Sequence, residues 1–209
     1  MKLNDLTSRF ESWIAGVSEN HDTGHDINHL RRVMRNAAII AEGEGYKDHD
    51  LISLCALFHD VADHKFTGNP DILLEKVAAF LHGEGVHDDY ISKVKFVAEH
   101  VSFSKRSDRI TKTPELEIVM DADRLDAIGA VGIARAFTYG GFRSRPLYGE
   151  AMNGTTIGHF YEKLLLLRDL MNTGTAKKMA QERHNFMVQF LEQFERETGV
   201  EPATLSLGS

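Results

Sequence analysis

Residues 51–66, LISLCALFHDVADHKF, decide the fold class. Seven of the first eight side chains are apolar, which is typical of a helix that is buried on every side. The run then ends in a cluster of titratable groups that includes His59 and Asp60. A carboxylate in an apolar setting costs several kcal/mol unless it is paired or bound to a metal. The rest of the chain must therefore supply the partners of these two side chains.

Helical periodicity dominates the remaining sequence, and no alternating pattern typical of a strand extends beyond a few residues. Apolar spacing predicts helices over the following ranges: 4–19, 26–44, 48–63, 70–83, 88–101, 113–141 with a break near Gly129, 155–171 and 175–197. The four prolines in 209 residues favour long helices over many short strands. The sequence thus predicts an all-α fold.

Composition narrows the function classes. A net charge of −7 argues against a nucleic-acid-binding surface, which normally carries a basic excess. No apolar run approaches the roughly 18 residues of a membrane span. The single cysteine, Cys55, lies inside an apolar run and excludes an internal disulfide, so we expect a buried core residue. These features predict a cytoplasmic protein that binds neither nucleic acid nor a membrane.

Histidines and carboxylates occur at core-facing positions of three predicted helices. His29 begins the second helix, and His59 and Asp60 end the central one. Three acidic residues lie amid apolar neighbours in the later helix: Asp121, Asp123 and Asp126. One divalent cation would satisfy side chains from all three helices. A mixed set of imidazoles and carboxylates suits Mn, Fe, Co, Ni or Zn better than Ca²⁺, which takes oxygen ligands alone.

The sequence resembles the HD-domain metal-dependent phosphohydrolases, whose pattern is H…HD…D on a helical core. The matching segments are His29 with LRRV, then the HDVAD of residues 59–63, then the DRL that begins at Asp123. The likeness extends over roughly residues 5–198. The segments SFSK (102–105), DADRLDAIGAVGIARAF, HFYEKLL and AQERHNFMVQFLEQFERE resemble the small stand-alone bacterial branch of YpgQ/YedJ-like proteins.

The resemblance implies one divalent cation per chain, with manganese as the first choice and Fe, Co, Ni, Zn or Mg as alternatives. The implied ligands are His29, His59, Asp60 and Asp123. It also implies a single HD-domain helical bundle over residues 1–209, with a metal-site core at about 20–130. C-terminal helices would occupy about 155–198, followed by a short flexible tail at 199–209.

The resemblance also implies that Asp63, one helical turn after the HD pair, orients or deprotonates the attacking water. Lys65 is expected to contact a phosphate because it lies on the loop after the HD motif. Weaker candidates for substrate contacts are His25, His64, His100, Lys105, Arg124, Arg143 and Arg145. For the basic residues the alternatives are a solvated face or, for Arg124, a structural ion pair. His25 has the alternative of bracing the start of a helix.

The expected activity is hydrolysis of a nucleoside or deoxynucleoside triphosphate by metal-activated water, with release of a monophosphate and pyrophosphate. One alternative is another nucleotide phosphoester: a monophosphate, a cyclic nucleotide or an alarmone. The alarmone hydrolases carry a Glu-Asp pair where this chain has Asp63-His64, and an Asn where it has Ala127. A non-catalytic nucleotide sensor is the alternative from another class. Apolar residues in the last two helices serve either a homodimer or the core.

Overall fold

The structure, a computed structural model, describes residues 6–10, 12, 27–62, 69–101, 110–149 and 152–199. These residues form helices and turns, and no β-strand occurs among them. The all-α class predicted from the sequence is thus confirmed. The chain divides into two compact units, Met1–Asp123 and Arg124–Ser209. None of the helices in the described ranges has the length and hydropathy that crossing a membrane requires.

The first unit is built around one apolar helix. Its described helices are α1 (Ile27–Gly43), α2 (His49–Phe58), α3 (Pro70–Gly83), α4 (Asp88–His100) and most of α5 (Pro114–Asp126). Helix α2 packs against both α1 and α4, and α3 packs against α4. Of the helix predicted over 4–19, the structure describes 6–10 and 12, which are helical.

Helix α2 is buried around its whole circumference from residue 54 to residue 58, as its composition predicts. The ring of Phe58 lies 4.4 Å from that of Phe10 and 6.0 Å from that of Phe80, measured between centroids. Burial raises the pKa of the Cys55 thiol well above its ordinary value. A thiol held in its neutral form is a poor nucleophile, so Cys55 is the core residue that was expected.

The predicted extent of α2, 48–63, is too long. The helix ends at Phe58, and residues 59–62 form turns. The Nδ1 of His59 donates a hydrogen bond to the carbonyl of Ala56 at 2.7 Å. The carbonyls in the last turn of a helix have no backbone N–H partner within the helix. The side chain of His59 supplies a donor to one of them. The HD pair therefore lies just beyond the buried helix rather than inside it.

A hydrogen-bonded network holds the opposite end of α2. Asp48 caps the helix by accepting from the backbone N–H of Leu51 at 3.1 Å, and it also accepts from the hydroxyl of Tyr90 at 2.5 Å. Tyr46 donates its hydroxyl to the buried carboxylate of Glu115 at 2.7 Å. Burial by itself raises the pKa of Glu115, but the Tyr46 bond and further hydrogen bonds outweigh it, and the pKa lies below its ordinary value.

We expect Tyr46→Phe to lower the free energy of unfolding by about 2 kcal/mol at pH 7, because a hydrogen bond to a charged group is lost. Because the pKa of Glu115 is lower in the folded protein than in the unfolded chain, its carboxylate stabilises the fold at pH values above the unfolded pKa. This contribution is lost as the pH falls through the pKa of the folded state. The difference between variant and wild type should therefore shrink below about pH 4.

Urea unfolding at pH 7 and at pH 3.5 measures this difference. Tyr148→Phe is the matched control, since it removes the same hydroxyl from an exposed tyrosine and should change stability by less than about 0.5 kcal/mol. Equal losses in the two variants, or a Tyr46→Phe loss that grows on acidification, would contradict the role given to Glu115.

The second unit contains the remaining helices: α6 (Gly129–Phe142), α7 (Thr156–His159) and α8 (Gly174–Thr198). The break predicted near Gly129 is confirmed, because α6 begins at that residue with a φ of +74°. The range predicted as one helix, 155–171, continues from α7 as a π-helix over Phe160–Leu164 and a 3₁₀-helix over Leu165–Leu170. Helix α6 packs on α8.

Candidate metal centre

Four of the sequence-predicted site residues lie together in the first unit. His29 is in the first turn of α1, and His59 and Asp60 directly follow α2. Asp123 lies in the last turn of α5. Apolar residues of each segment are buried, and α1 packs directly on α2. Side chains distant in sequence thus converge on one point.

The donor atoms of these side chains lie close to one another. The Nε2 of His29 is 3.3 Å from Oδ2 of Asp60 and 3.6 Å from Oδ1 of Asp123. The Nε2 of His59 is 3.4 Å from Oδ1 of Asp60 and 3.9 Å from the same oxygen of Asp123. One atom each from His29, His59 and Asp123 falls within a mutual distance of 4.8 Å. Asp60 faces each imidazole with a different carboxylate oxygen.

The hydrogen bond of His59 to Ala56 determines which ring nitrogen faces the cluster. A carbonyl oxygen only accepts, so the 2.7 Å bond to Ala56 places the proton of the neutral ring on Nδ1. The Nε2 atom then carries a lone pair. It is buried, and it makes no hydrogen bond to any residue that the structure describes. A lone pair aimed at carboxylate oxygens is unfavourable unless positive charge lies between them, and either a bound cation or a proton on Nε2 supplies that charge.

These donors fit a divalent cation. A first-row cation about 2.1 Å from two donors sets them about 3.0 to 3.4 Å apart at octahedral to tetrahedral angles. The observed separations of 3.3 to 3.9 Å are close to that range and longer than an ordinary hydrogen bond. The Nδ1 bond of His59 is the contact that commonly orients a metal-binding imidazole. The donor set is the mixed one expected from the sequence.

The cluster is closed on one side and open on the other. Both imidazoles are fully buried, and the side chain of Asp60 is 11% exposed. The side chain of Asp123 is 38% exposed. Solvent therefore reaches the cluster at the Asp123 carboxylate, while both imidazoles are enclosed. A catalytic metal site needs such an open coordination position.

The remaining predicted site residues of the first unit lie elsewhere or outside the described residues. His100 ends α4, donates Nδ1–H to the carbonyl of Phe96 at 2.7 Å and stacks on that ring at 4.5 Å. It is not a member of the His29–His59–Asp123 cluster. Five predicted residues fall outside the described ranges: His25, Asp63, His64, Lys65 and Lys105.

Three predicted arginines belong to the second unit. The buried Arg124 donates Nη1–H to the carbonyl of Leu170 at 2.6 Å, which is a structural hydrogen bond to the backbone. The guanidinium carbons of Arg143 and Arg145 lie 5.5 and 5.6 Å from the ring centroid of Tyr139. Their role as phosphate contacts stays a prediction.

The sequence reading missed two buried polar residues, Asn36 and Glu115. Asn36 lies on the core-facing side of α1, at the heptad spacing from His29. Glu115 lies in the first turn of α5 and accepts from Tyr46. The sequence signal that could have identified them is a polar residue at a position where the helical spacing of apolar residues predicts an apolar one.

Comparison with known proteins identifies the family. A family model for the HD domain matches residues 21–128. YpgQ of Bacillus subtilis (strain 168) is 38% identical over 200 residues, which cover 94% of this chain and 96% of YpgQ. The crystal structure of Bacillus subtilis YpgQ in complex with ADP matches with a TM-score of 0.74 at 38% identity, over 91% of this chain and 97% of that one.

A crystal structure of an HD-superfamily hydrolase from Bacillus thuringiensis matches equally well. Its TM-score is 0.76 at 35% identity, and the match covers 96% of this chain and all of that one, 100%. The likeness thus extends over nearly the full length of each protein. Together with the HD family model, it shows that the chain belongs to the HD domain family, in the small stand-alone bacterial branch that includes YpgQ.

Proposed function

We propose that this HD-superfamily hydrolase is a metal-dependent phosphohydrolase that converts nucleoside or deoxynucleoside triphosphates to monophosphates and pyrophosphate. The observation that carries the proposal is the cluster of His29, His59, Asp60 and Asp123, in which the buried Nε2 of His59 has no hydrogen-bond partner among the described residues and faces two carboxylates. In an HD-domain protein such a cluster is suited to a divalent cation. We propose one cation per chain, with manganese as the first choice.

The proposed mechanism divides the chemistry among a few side chains. A divalent cation in this cluster supplies a Lewis acid that lowers the pKa of water and offsets charge on a phosphoryl group. Asp63 would hold the attacking water and accept its proton. The water oxygen forms a bond to the α-phosphorus, and the bond from that phosphorus to the α–β bridging oxygen breaks. The departing electron pair leaves with pyrophosphate, while Lys65 offsets phosphate charge.

The choice of a nucleotide is supported by the YpgQ structure, which holds ADP in a protein 38% identical to this chain. The second candidate, hydrolysis of another nucleotide phosphoester, uses the same cluster and differs only in the scissile bond. A sensor without activity is disfavoured, because all four candidate ligands are present and a degenerate sensor would usually lack one. Self-association as a homodimer stays a prediction.

We also propose a cytoplasmic location. The single cysteine, Cys55, is buried and cannot form an internal disulfide, as is common for proteins of a reducing compartment.

Product analysis tests the proposed function. Purified protein with Mn²⁺ and a panel of ribo- and deoxynucleoside triphosphates should yield monophosphate and pyrophosphate in equal amounts. Both products should be absent when Asp60→Ala protein replaces the wild type. Orthophosphate with diphosphate would instead indicate attack at the γ-phosphorus. If no triphosphate is turned over, while a monophosphate or cyclic nucleotide is, the second candidate replaces the first.

A further inference from the structure

Asn36 is a buried amide on the face of α1 that carries His29. It lies seven positions after His29, close to two helical turns, so both side chains project on the same side of the helix. Val33 and Ile40 occupy the same face and are fully buried. Asn36 is only 6% exposed, so a polar side chain occupies a position that the pattern of its neighbours assigns to an apolar one.

The amide of Asn36 is bonded directly to the helix that carries Asp123. Its Nδ2 donates to the carbonyl oxygen of Ala122 at 3.1 Å, across 86 positions of sequence. Ala122 is fully buried and directly precedes Asp123 in α5. A second polar approach between α1 and α5 is within the cluster itself, where Nε2 of His29 lies 3.6 Å from Oδ1 of Asp123.

A directional bond at this place restrains α5 in a way that apolar packing does not. Burying an amide is costly unless it is hydrogen-bonded, and an apolar residue of similar volume would pack here without that cost. A hydrogen bond fixes both a distance and an angle, whereas apolar contacts tolerate small rotations and slides. Because the acceptor adjoins Asp123, the restraint acts on the turn of α5 that presents this carboxylate to the imidazoles.

We propose that Asn36 is a positioning residue, which holds Asp123 in register with His29 and thereby sets the affinity of the cluster for its divalent cation. The inference rests on the proposed metal site. It assigns a function to a side chain that lies two helical turns from His29 along α1. Supporting contacts of this kind typically change metal affinity by about 10- to 100-fold.

Manganese titration by calorimetry on metal-stripped protein tests this role without relying on turnover. Asn36→Leu keeps the branched shape of the side chain and removes the donor, and Asn36→Ala removes the donor without adding bulk. The matched control is Ile40→Val, which loosens the same face of α1 and has no bond to α5. Circular dichroism and thermal melts of the metal-free proteins report the general loss of packing in each variant.

The expected result is Mn²⁺ binding at least about tenfold weaker in Asn36→Leu, or in Asn36→Ala if only that variant folds, and unchanged in Ile40→Val. Wild-type affinity in a folded Asn36 variant would overturn the positioning role. So would an equal loss of affinity in Ile40→Val, because general loosening would then explain both results. Wild-type protein that binds no Mn²⁺ would overturn the proposed metal site and this inference with it.

Discussion

Asp60→Ala should abolish turnover and manganese binding together. The Asp60 carboxylate faces both imidazoles, at 3.3 Å from His29 and 3.4 Å from His59, with a different oxygen toward each. Asp123 lies farther from both rings, at 3.6 and 3.9 Å, so removal of Asp60 takes the nearer carboxylate away from both imidazoles. Loss of the cation removes several kcal/mol of transition-state stabilisation, so we expect turnover to fall by about 10³-fold or more.

The control for this variant is Asp89→Ala, which removes an exposed carboxylate from α4, where it pairs with Lys93 at 3.0 Å. It should retain wild-type turnover, since an exposed ion pair contributes little. Circular dichroism should show both variants folded. Full activity in Asp60→Ala would mean that the metal site has been assigned to the wrong residues.

Asp63→Ala should separate catalysis from metal binding. Asp63 comes three positions after Asp60 in the sequence, and the resemblance to the HD-domain phosphohydrolases implies that it holds or deprotonates the water and is not a metal ligand. Removal of a general base typically lowers the rate by about 10² to 10⁴-fold. We therefore expect kcat to fall by this factor while the Mn²⁺ affinity stays near the wild-type value.

Two outcomes would contradict that role. Loss of Mn²⁺ from Asp63→Ala would make the residue a ligand, and unchanged kcat would remove it from the mechanism. Asp63→Asn sharpens the test, because the amide keeps the size of the side chain but cannot accept the proton. It should be as slow as the alanine variant if proton transfer matters, and faster if the residue mainly orients the water.

Much of the fold follows from the sequence because its signal is periodic. Helices α1, α3 and α4 begin and end within about two residues of the predicted limits. The break at Gly129 could be predicted because glycine, which has no Cβ, readily adopts a positive φ. That histidines and carboxylates from three helices come together was also predicted, because they interrupt apolar faces that have to be buried. The choice of Asp123 among the acidic residues of α5 came from the resemblance to the HD-domain phosphohydrolases.

Other features depend on contacts that no single helix encodes. The end of α2 at Phe58 depends on the bond of His59 to Ala56, which a helical period does not reveal. The hydrogen bond from Asn36 to Ala122 joins two helices that are far apart in the sequence. The sequence itself shows only a polar residue among the apolar residues on one face of α1. The change from α- to π- and 3₁₀-helix after α7 leaves the apolar pattern intact, so it too was missed.

The most direct test of the account is the manganese stoichiometry of the metal-stripped wild type, measured by titration calorimetry beside Asp60→Ala. The central claim is that the four side chains from α1, the end of α2 and α5 hold one divalent cation. It predicts one Mn²⁺ per wild-type chain and no measurable binding to the variant at the same protein concentration. Equal binding by both proteins, or none by the folded wild type, would contradict the claim.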